Sequence, residues 1–204
     1  MRVVAGELRG RKIEGPPGTA TRPSTDKVRE ATFNALGSLD LLRDAAVVDL
    51  FAGTGALGIE ALSRGAASCT FVERDRTALR TLRGNIADLG LGDRSRIVPG
   101  DAMVMGAGLD ADLVLADPPY DFDAWSALLG AVAAPFVVAE SGRPLDRLER
   151  HTTAGWEITR IKRYGRSWVT FFERTGSERD ADADVDLRAG AGSAGISDDE
   201  PGPN

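Results

Sequence analysis

The chain is expected to fold as an α/β protein: a mostly parallel, seven-stranded sheet with helices on both faces, ending in an antiparallel hairpin and preceded by a small β-hairpin and helix. Three observations predict this. From residue 46 onward, short apolar runs alternate with stretches of helical periodicity, the pattern of strands joined by helical crossovers. The first of those runs closes on a glycine-rich connection, Gly53-Thr54-Gly55. The last two runs, 156–163 and 167–173, flank Tyr164-Gly165-Arg166, a turn signal between strands.

Taken in order, residues 2–5 and 11–14 can pair across a glycine-containing connection, after which Pro16-Pro17-Gly18 breaks the chain. A helix follows, with Ser24 or Thr25 as its N-cap, and runs to about Leu36. These elements make an extension over residues 1–40, ahead of a main domain over 41–174. Within that domain the expected strands are Ala46–Leu50, Ser68–Glu73, 96–99, 111–116 and 135–139, then the hairpin. Leu113-Val114-Leu115 suits burial on both faces, as the centre of a parallel sheet requires. Helices are expected over 57–64, Arg76–Leu89 and 123–133, the second stopped by Gly90. Residues 175–204 repeat Asp, Gly, Ala and Ser with almost no large apolar side chain, so burial cannot offset their ordering entropy and disorder is expected.

A length of 204 residues allows one sizeable core, and 42% hydrophobic with 27% charged residues is the balance of a soluble globular protein. No apolar run approaches the roughly 20 residues that span a bilayer, and Met1-Arg2-Val3-Val4 lacks the apolar stretch of a secretory leader. A cytoplasmic monomer is the expectation. Cys69 stands alone in the apolar run Cys69-Thr70-Phe71-Val72 and reads as a buried small hydrophobe. His151 has no companion with which to form a metal site or a triad, and no metal is expected.

The net charge of −6 speaks against a nucleic-acid partner only until it is divided by region. Residues 175–204 hold eight acidic and two basic side chains, and the remainder holds 23 of each. Within it, Arg2, Arg9, Arg11, Lys12, Arg22, Lys27 and Arg29 make the amino-terminal stretch basic, and Arg160, Lys162, Arg163 and Arg166 form a second basic cluster. Such clusters suit a phosphate backbone.

Asp49-Leu50-Phe51-Ala52-Gly53-Thr54-Gly55 ends the first strand. Gly53 and Gly55 let the backbone turn sharply against a ligand, and Gly58 permits close helix–strand packing. The spacing also fits a dinucleotide site, with Glu73 placed as a ribose-binding acid. Two acids separate these cofactors. Asp49 can orient the ammonium of a methionine moiety but would oppose a pyrophosphate, and Asp101 in Pro99-Gly100-Asp101-Ala102 can accept from an adenine amino group. The three acids fall at the carboxyl ends of consecutive strands, where open sheets bind ligands.

The fourth strand ends in Asp117-Pro118-Pro119-Tyr120. Two prolines remove two backbone donors, which leaves a carbonyl beside the Asp117 carboxylate. A site of acceptors without donors suits an exocyclic amino group. Accepting both its hydrogens, at Asp117 and at the Pro118 carbonyl, concentrates its lone pair and stabilises the charge that develops as it attacks an electrophilic methyl. Tyr120 can stack on the base.

These two motifs resemble those of the class I, Rossmann-like S-adenosylmethionine-dependent amino-methyltransferases. The leader Arg2-Val3-Val4-Ala5-Gly6, then Arg9-Gly10-Arg11-Lys12-Ile13, then the segment from Thr21-Arg22-Pro23-Ser24 through Lys27-Val28-Arg29-Glu30 to Phe33-Asn34, is similar to the RsmD-type bacterial enzymes in particular. The resemblance spans about residues 1–174. It implies methylation of the exocyclic N2 of a guanine in small-subunit (16S) ribosomal RNA, free or in the assembling 30S particle. It also implies S-adenosylmethionine contacts from Asp49, Phe51, Ala52, Gly53, Thr54, Gly55, Glu73, Arg74, Asp101 and Ala102, target contacts from Asp117, Pro118, Pro119 and Tyr120, and RNA contacts from the basic amino-terminal residues. The acidic tail and Met103-Val104-Met105-Gly106 have no counterpart role in that scheme. The competing readings are a DNA amino-methyltransferase, against which these residues offer no segment long enough for a separate target-recognition domain; a nicotinamide-dependent dehydrogenase, which gives no role to Asp-Pro-Pro-Tyr or Asp49; and a ribosome-assembly factor without catalysis.

Overall fold

A computed structural model describes residues 1–15, 23–146, 148 and 155–176. Its seven strands, β1 (Ala46–Leu50), β2 (Ser68–Glu73), β3 (Ser95–Pro99), β4 (Leu113–Ala116), β5 (Phe136–Ser141), β6 (Trp156–Tyr164) and β7 (Ser167–Arg174), form one sheet in the order β3-β2-β1-β4-β5-β7-β6. The first five are parallel, and β7 turns antiparallel between β5 and β6. Strand order therefore reverses between β1 and β4, the place in an open parallel sheet where loops diverge and a ligand can enter. The register sets Leu50 opposite both Val72 and Ala116, so the loop after β1 and the turn after β4 emerge side by side.

Alternation along the strands divides the core in two. Leu113, Leu115, Val138 and Phe71 face a cluster closed by α1 (Pro23–Ser38), α2 (Ala56–Ser63) and α3 (Arg76–Leu89) through Phe33, Leu36, Leu62 and Leu82. Val48, Leu50, Val114 and Val137 face the other, closed by Ala102 of α4 (Ala102–Met105) and by Trp125 and Leu128 of α5 (Trp125–Ala131). Cys69 is buried in the first cluster, and that burial, with the Asp49 charge, pushes its thiol well above the ordinary range. It is an inert core residue, as its apolar context predicts.

Several bounds differ from expectation for local reasons. β4 begins at Leu113 rather than 111, because Asp112 turns its carboxylate to the Ala46 amide (2.8 Å). The helix expected over 123–133 is Trp125–Ala131, and the first helix begins at Pro23, where a missing amide hydrogen costs nothing. α4 went unforeseen. Four residues are too few for periodicity, but Asp101 caps it by accepting from the Met103 amide at 2.9 Å. It absorbs Met103-Val104-Met105.

The expected amino-terminal hairpin is reduced to a single bridge, Arg2 to Lys12, with neighbouring backbone bonds such as Val3 N to Arg11 O at 3.0 Å. Its other amides are satisfied by α2: Glu60 accepts from Val4 (2.8 Å) and Ala5 (3.0 Å), and the Ser63 hydroxyl accepts from Leu8 (3.0 Å). Val3 and Ile13 are buried in the first cluster, so the extension shares the core of the sheet. Arg22, His151 and residues 177–204 lie outside the described residues. Among the described residues no helix is long and apolar enough to cross a membrane.

Candidate active site

At the switch point a cleft of about 380 Å³ is lined by Phe51, Val72, Glu73, Arg74, Gly100, Asp101, Ala102, Asp117, Pro118, Pro119 and Tyr120. Residues from the ends of β2, β3 and β4 thus converge, together with Phe51 from the loop after β1. The glycine loop shapes the cleft from behind. Gly55 takes φ 88, and Gly58 could not be larger, since a Cβ there would stand 2.3 Å from the Phe71 ring. Ala52, Gly53, Thr54 and Gly55 are not among the lining residues. Their tie to the cleft is Glu73, which accepts from the Gly53 amide at 2.7 Å and with its other oxygen from the Arg74 and Asp75 amides at 2.8 and 2.7 Å.

Asp101 bridges in the same manner, capping α4 with one oxygen and accepting from Arg74 Nη1 with the other at 2.9 Å. Asp49 sits deeper. It is 1% exposed, does not line the cleft, and accepts from the Gly58 amide at 2.9 Å, so it holds the loop to the start of α2 from beneath. Burial, offset by that hydrogen bond and reinforced by Glu73, raises its pKa to about 7. The lining fits the cofactor that the motifs imply: fixed carboxylates at Glu73 and Asp101 to accept from hydroxyl and amino groups, apolar Val72, Ala102 and Phe51 for a ring, and a volume in the range of small-molecule sites.

Across the cleft, Asp117 keeps an accessible face, while Tyr120 is 67% exposed. Ala116 is paired with Ala139, which brings the next residues, Asp117 and Glu140, alongside. Protein closing around the Asp117 carboxyl, then the charges of Glu140 and Asp49, raises its pKa well above the carboxylate range. Glu140 is raised too, chiefly by burial, though its hydrogen bond with Ser167 opposes this. Ser167 also lies 3.2 Å from the Tyr120 hydroxyl. Tyr120 packs over Gly142 so closely that a Cβ there would meet its ring at 2.6 Å. Glu140, Gly142 and Ser167 were not singled out in the sequence. Only the register between β4, β5 and β7 brings them to the site.

The basic amino-terminal residues do not act as one set. Arg2, Arg9, Arg11, Lys12 and Lys27 are exposed, with Arg2 donating to Gly10 O (2.7 Å), Arg11 to Asp88 O (2.8 Å) and Lys12 paired with Glu14. Arg29 overturns its expected role. It is 4% exposed, donates to Arg2 O at 2.6 Å and pairs with Asp26 (3.1 Å) and the fully buried Glu60 (3.6 Å). It fastens the extension to α2 and offers nothing to a phosphate, because Glu60 needs a buried cation more than the surface does.

The family described as conserved hypothetical protein 95 matches residues 1–173. YlbH of Bacillus subtilis (strain 168) is 36% identical over 188 residues, 86% of this chain and 100% of that one. Ribosomal RNA small subunit methyltransferase D of Escherichia coli (strain K12) is 43% identical over 122 residues, 59% of this chain and 60% of the relative, so that alignment spans three-fifths of the relative's length. The enzyme of the same name from Haemophilus influenzae is 30% identical over 183 residues, 80% of this chain and 91% of its own. Among solved structures, yhhF from Escherichia coli superposes with a TM-score of 0.75 at 34% identity, covering 87% of this chain and 99% of its own. With a doubly covered sheet, a cleft at its switch point and relatives of this kind, the chain belongs to the conserved hypothetical protein 95 family, that of ribosomal RNA small subunit methyltransferase D, and is a methyltransferase.

Proposed function

We propose that this chain transfers a methyl group from S-adenosylmethionine to the exocyclic N2 of a guanine in small-subunit ribosomal RNA, as a cytoplasmic monomer acting on the RNA or on the assembling 30S particle. The observation that carries the reading is the convergence in one cleft of Glu73 and Asp101 with the Asp117-Pro118-Pro119-Tyr120 turn, whose two prolines carry no backbone donor. The names of the relatives support ribosomal RNA of the small subunit as substrate. N2 of guanine rests on the resemblance of the amino-terminal motifs.

In this reading Glu73 and Asp101 hold the ribose and adenine side of the cofactor, with Arg74 and Ala102 beside them, while Asp49 and the loop Phe51-Ala52-Gly53-Thr54-Gly55 shape the methionine end. The bound cofactor supplies a sulfonium methyl as electrophile. Asp117 and the Pro118 carbonyl accept the two amino hydrogens, which draws the nitrogen toward tetrahedral geometry and stabilises its developing charge. Pro119 stiffens the turn, and Tyr120, steadied by Ser167 and Gly142, stacks on the base. The methylated nitrogen, cationic after attack, is acidic enough to release its proton to Asp117 or water. Arg2, Arg9, Arg11, Lys12, Arg22 and Lys27 contact RNA phosphates.

Incubating the protein with methyl-labelled S-adenosylmethionine and unmethylated small-subunit ribosomal RNA or particles, then digesting to nucleosides, tests this. N2-methylguanosine is expected. N6-methyladenosine would overturn the base assignment, and an absence of label would overturn the substrate.

A further inference from the structure

Beyond Tyr120, on the side away from the cofactor cleft, lies a second concavity of about 490 Å³ lined by Tyr120, Gly142, Arg163, Arg166 and Trp168. It is built by the β6–β7 hairpin. Tyr164 pairs with Ser167, leaving the two-residue turn Gly165-Arg166, and Gly165 takes the positive φ of 61° that such a turn needs at its first position. One step back Arg163 pairs with Trp168, so the two side chains share a face, and the Arg163 guanidinium lies 5.7 Å from the indole centroid. Arg163 Nε donates to Gly165 O at 2.9 Å, which holds the guanidinium at the rim. Trp168 also pairs with Ser141 of β5, beside Gly142, so the aromatic floor is continuous with the Tyr120 wall.

The composition of this concavity is one-sided. No acidic side chain lines it, and among the described residues no ion pair engages Arg163 or Arg166. Two cations beside an indole and a phenol ring match a phosphodiester carrying an unstacked base. Tyr120 belongs to both concavities, so whatever enters the second is joined to what sits in the first by about the width of one ring.

We propose that this concavity is a binding site for the nucleotide adjoining the target in the RNA strand, with Arg163 and Arg166 on its phosphate and Trp168 stacked on its base. The site rests on the methyl-transfer reading for the identity of the strand. It explains how the target can be held out of a base stack: its neighbour is captured on the far side of Tyr120, and the unstacking cost of a few kcal/mol is met by contacts outside the cofactor cleft. None of the described basic residues of the amino-terminal extension lines this concavity, and they would carry more distant phosphates.

The full chain serves for the test, with a single-stranded RNA pentanucleotide as ligand. Trp125 and Trp156 are buried, at 1% and 7% exposure, so quenching of intrinsic fluorescence by the oligonucleotide reports on Trp168. Quenching that saturates is expected. In the Arg163→Ala, Arg166→Ala double variant the dissociation constant should rise tenfold or more, and the slope of log affinity against log salt should shrink by about 1.4, two contacts at roughly 0.7 each for single strands. Trp168→Leu, followed by anisotropy of a labelled oligonucleotide, should weaken binding by about tenfold. S-adenosylmethionine affinity, measured by calorimetry, should be unaltered in both, which certifies their folding. Equal affinity and salt slope in the double variant would overturn the proposal. So would a polyglutamate peptide that quenches and competes as well as the RNA, which would mark an acidic-protein surface. Should the oligonucleotide bind as described while wild-type protein leaves ribosomal RNA unlabelled, the site stands and the methyl-transfer substrate falls.

Discussion

On the β2–β3 side of the cleft the carboxylates are already engaged: Glu73 accepts from three backbone amides, and Asp101 from the Met103 amide and Arg74. On the β4–β5 side the reverse holds. Among the described residues no hydrogen bond reaches the Asp117 carboxylate, and the charges that act on it, those of Glu140 and Asp49, are of its own sign. The first wall is neutralised and rigid before any ligand arrives. At the second, burial and then like charge oppose ionisation of Asp117, so in the proposed reading the charged form is favoured by a partner that donates hydrogens, such as an amino group. In the proposed reading the first wall holds the cofactor and the second responds to the target.

Removing the responsive wall has the largest expected effect. Asp117→Ala should lower methyl transfer by about 10²–10³-fold, the loss typical of one transition-state hydrogen-bond partner. Calorimetric affinity for S-adenosylmethionine should stay within about twofold. Retained transfer would show that Asp117 does not stabilise the reacting amino group, whereas a cellular role that survives the substitution would favour ribosome assembly without catalysis.

Asp49 sharpens the comparison, because it is the one cofactor-side carboxylate whose single backbone donor fails to offset its burial. Its folded pKa of about 7 exceeds the ordinary 3.8, so the folded protein binds the extra proton. Its contribution is therefore intact below pH 3.8 and is lost as pH rises toward 7. Denaturant titrations should show the Asp49→Asn variant gaining on wild type by up to about 4 kcal/mol between pH 4 and 8, from roughly 1.4 kcal/mol per unit. A stability difference that does not change with pH would remove Asp49 from the titrating set.

Gly58→Ala tests the rigid wall by overpacking, since the added methyl collides with the Phe71 ring and Cys69 sulfur. Thermal or chemical denaturation should report a loss of about 1–3 kcal/mol. The smallest effect is expected from Glu140→Gln. Without the neighbouring charge Asp117 ionises at lower pH, so the acidic limb of the kcat/KM profile should move to lower pH; movement the other way would show that Glu140 does not oppose Asp117.

The parallel core was legible because each strand is a short apolar run and each long helix carries its own period and stop, as with Arg76–Leu89 and Gly90. Glu73, Asp101 and Asp117 were legible because a strand end in this fold is already a position at the cleft. What escaped the sequence depends on pairing across distance. Glu140 and Ser167 are ordinary strand residues until β5 and β7 are registered beside β4, and Arg29 looks like a surface cation until Glu60 is found buried against it. The same holds for Arg163 and Trp168, five residues apart in sequence and directly opposed across the hairpin.

Both walls should close on one reacting pair. A crystal structure of the chain with S-adenosylhomocysteine tests it most directly. The ribose hydroxyls are expected on Glu73, with the sulfur facing Asp117 and the Pro118 carbonyl across the cleft. A ligand seated elsewhere, or a sulfur turned away from Asp117 with the Tyr120 wall between them, would contradict it.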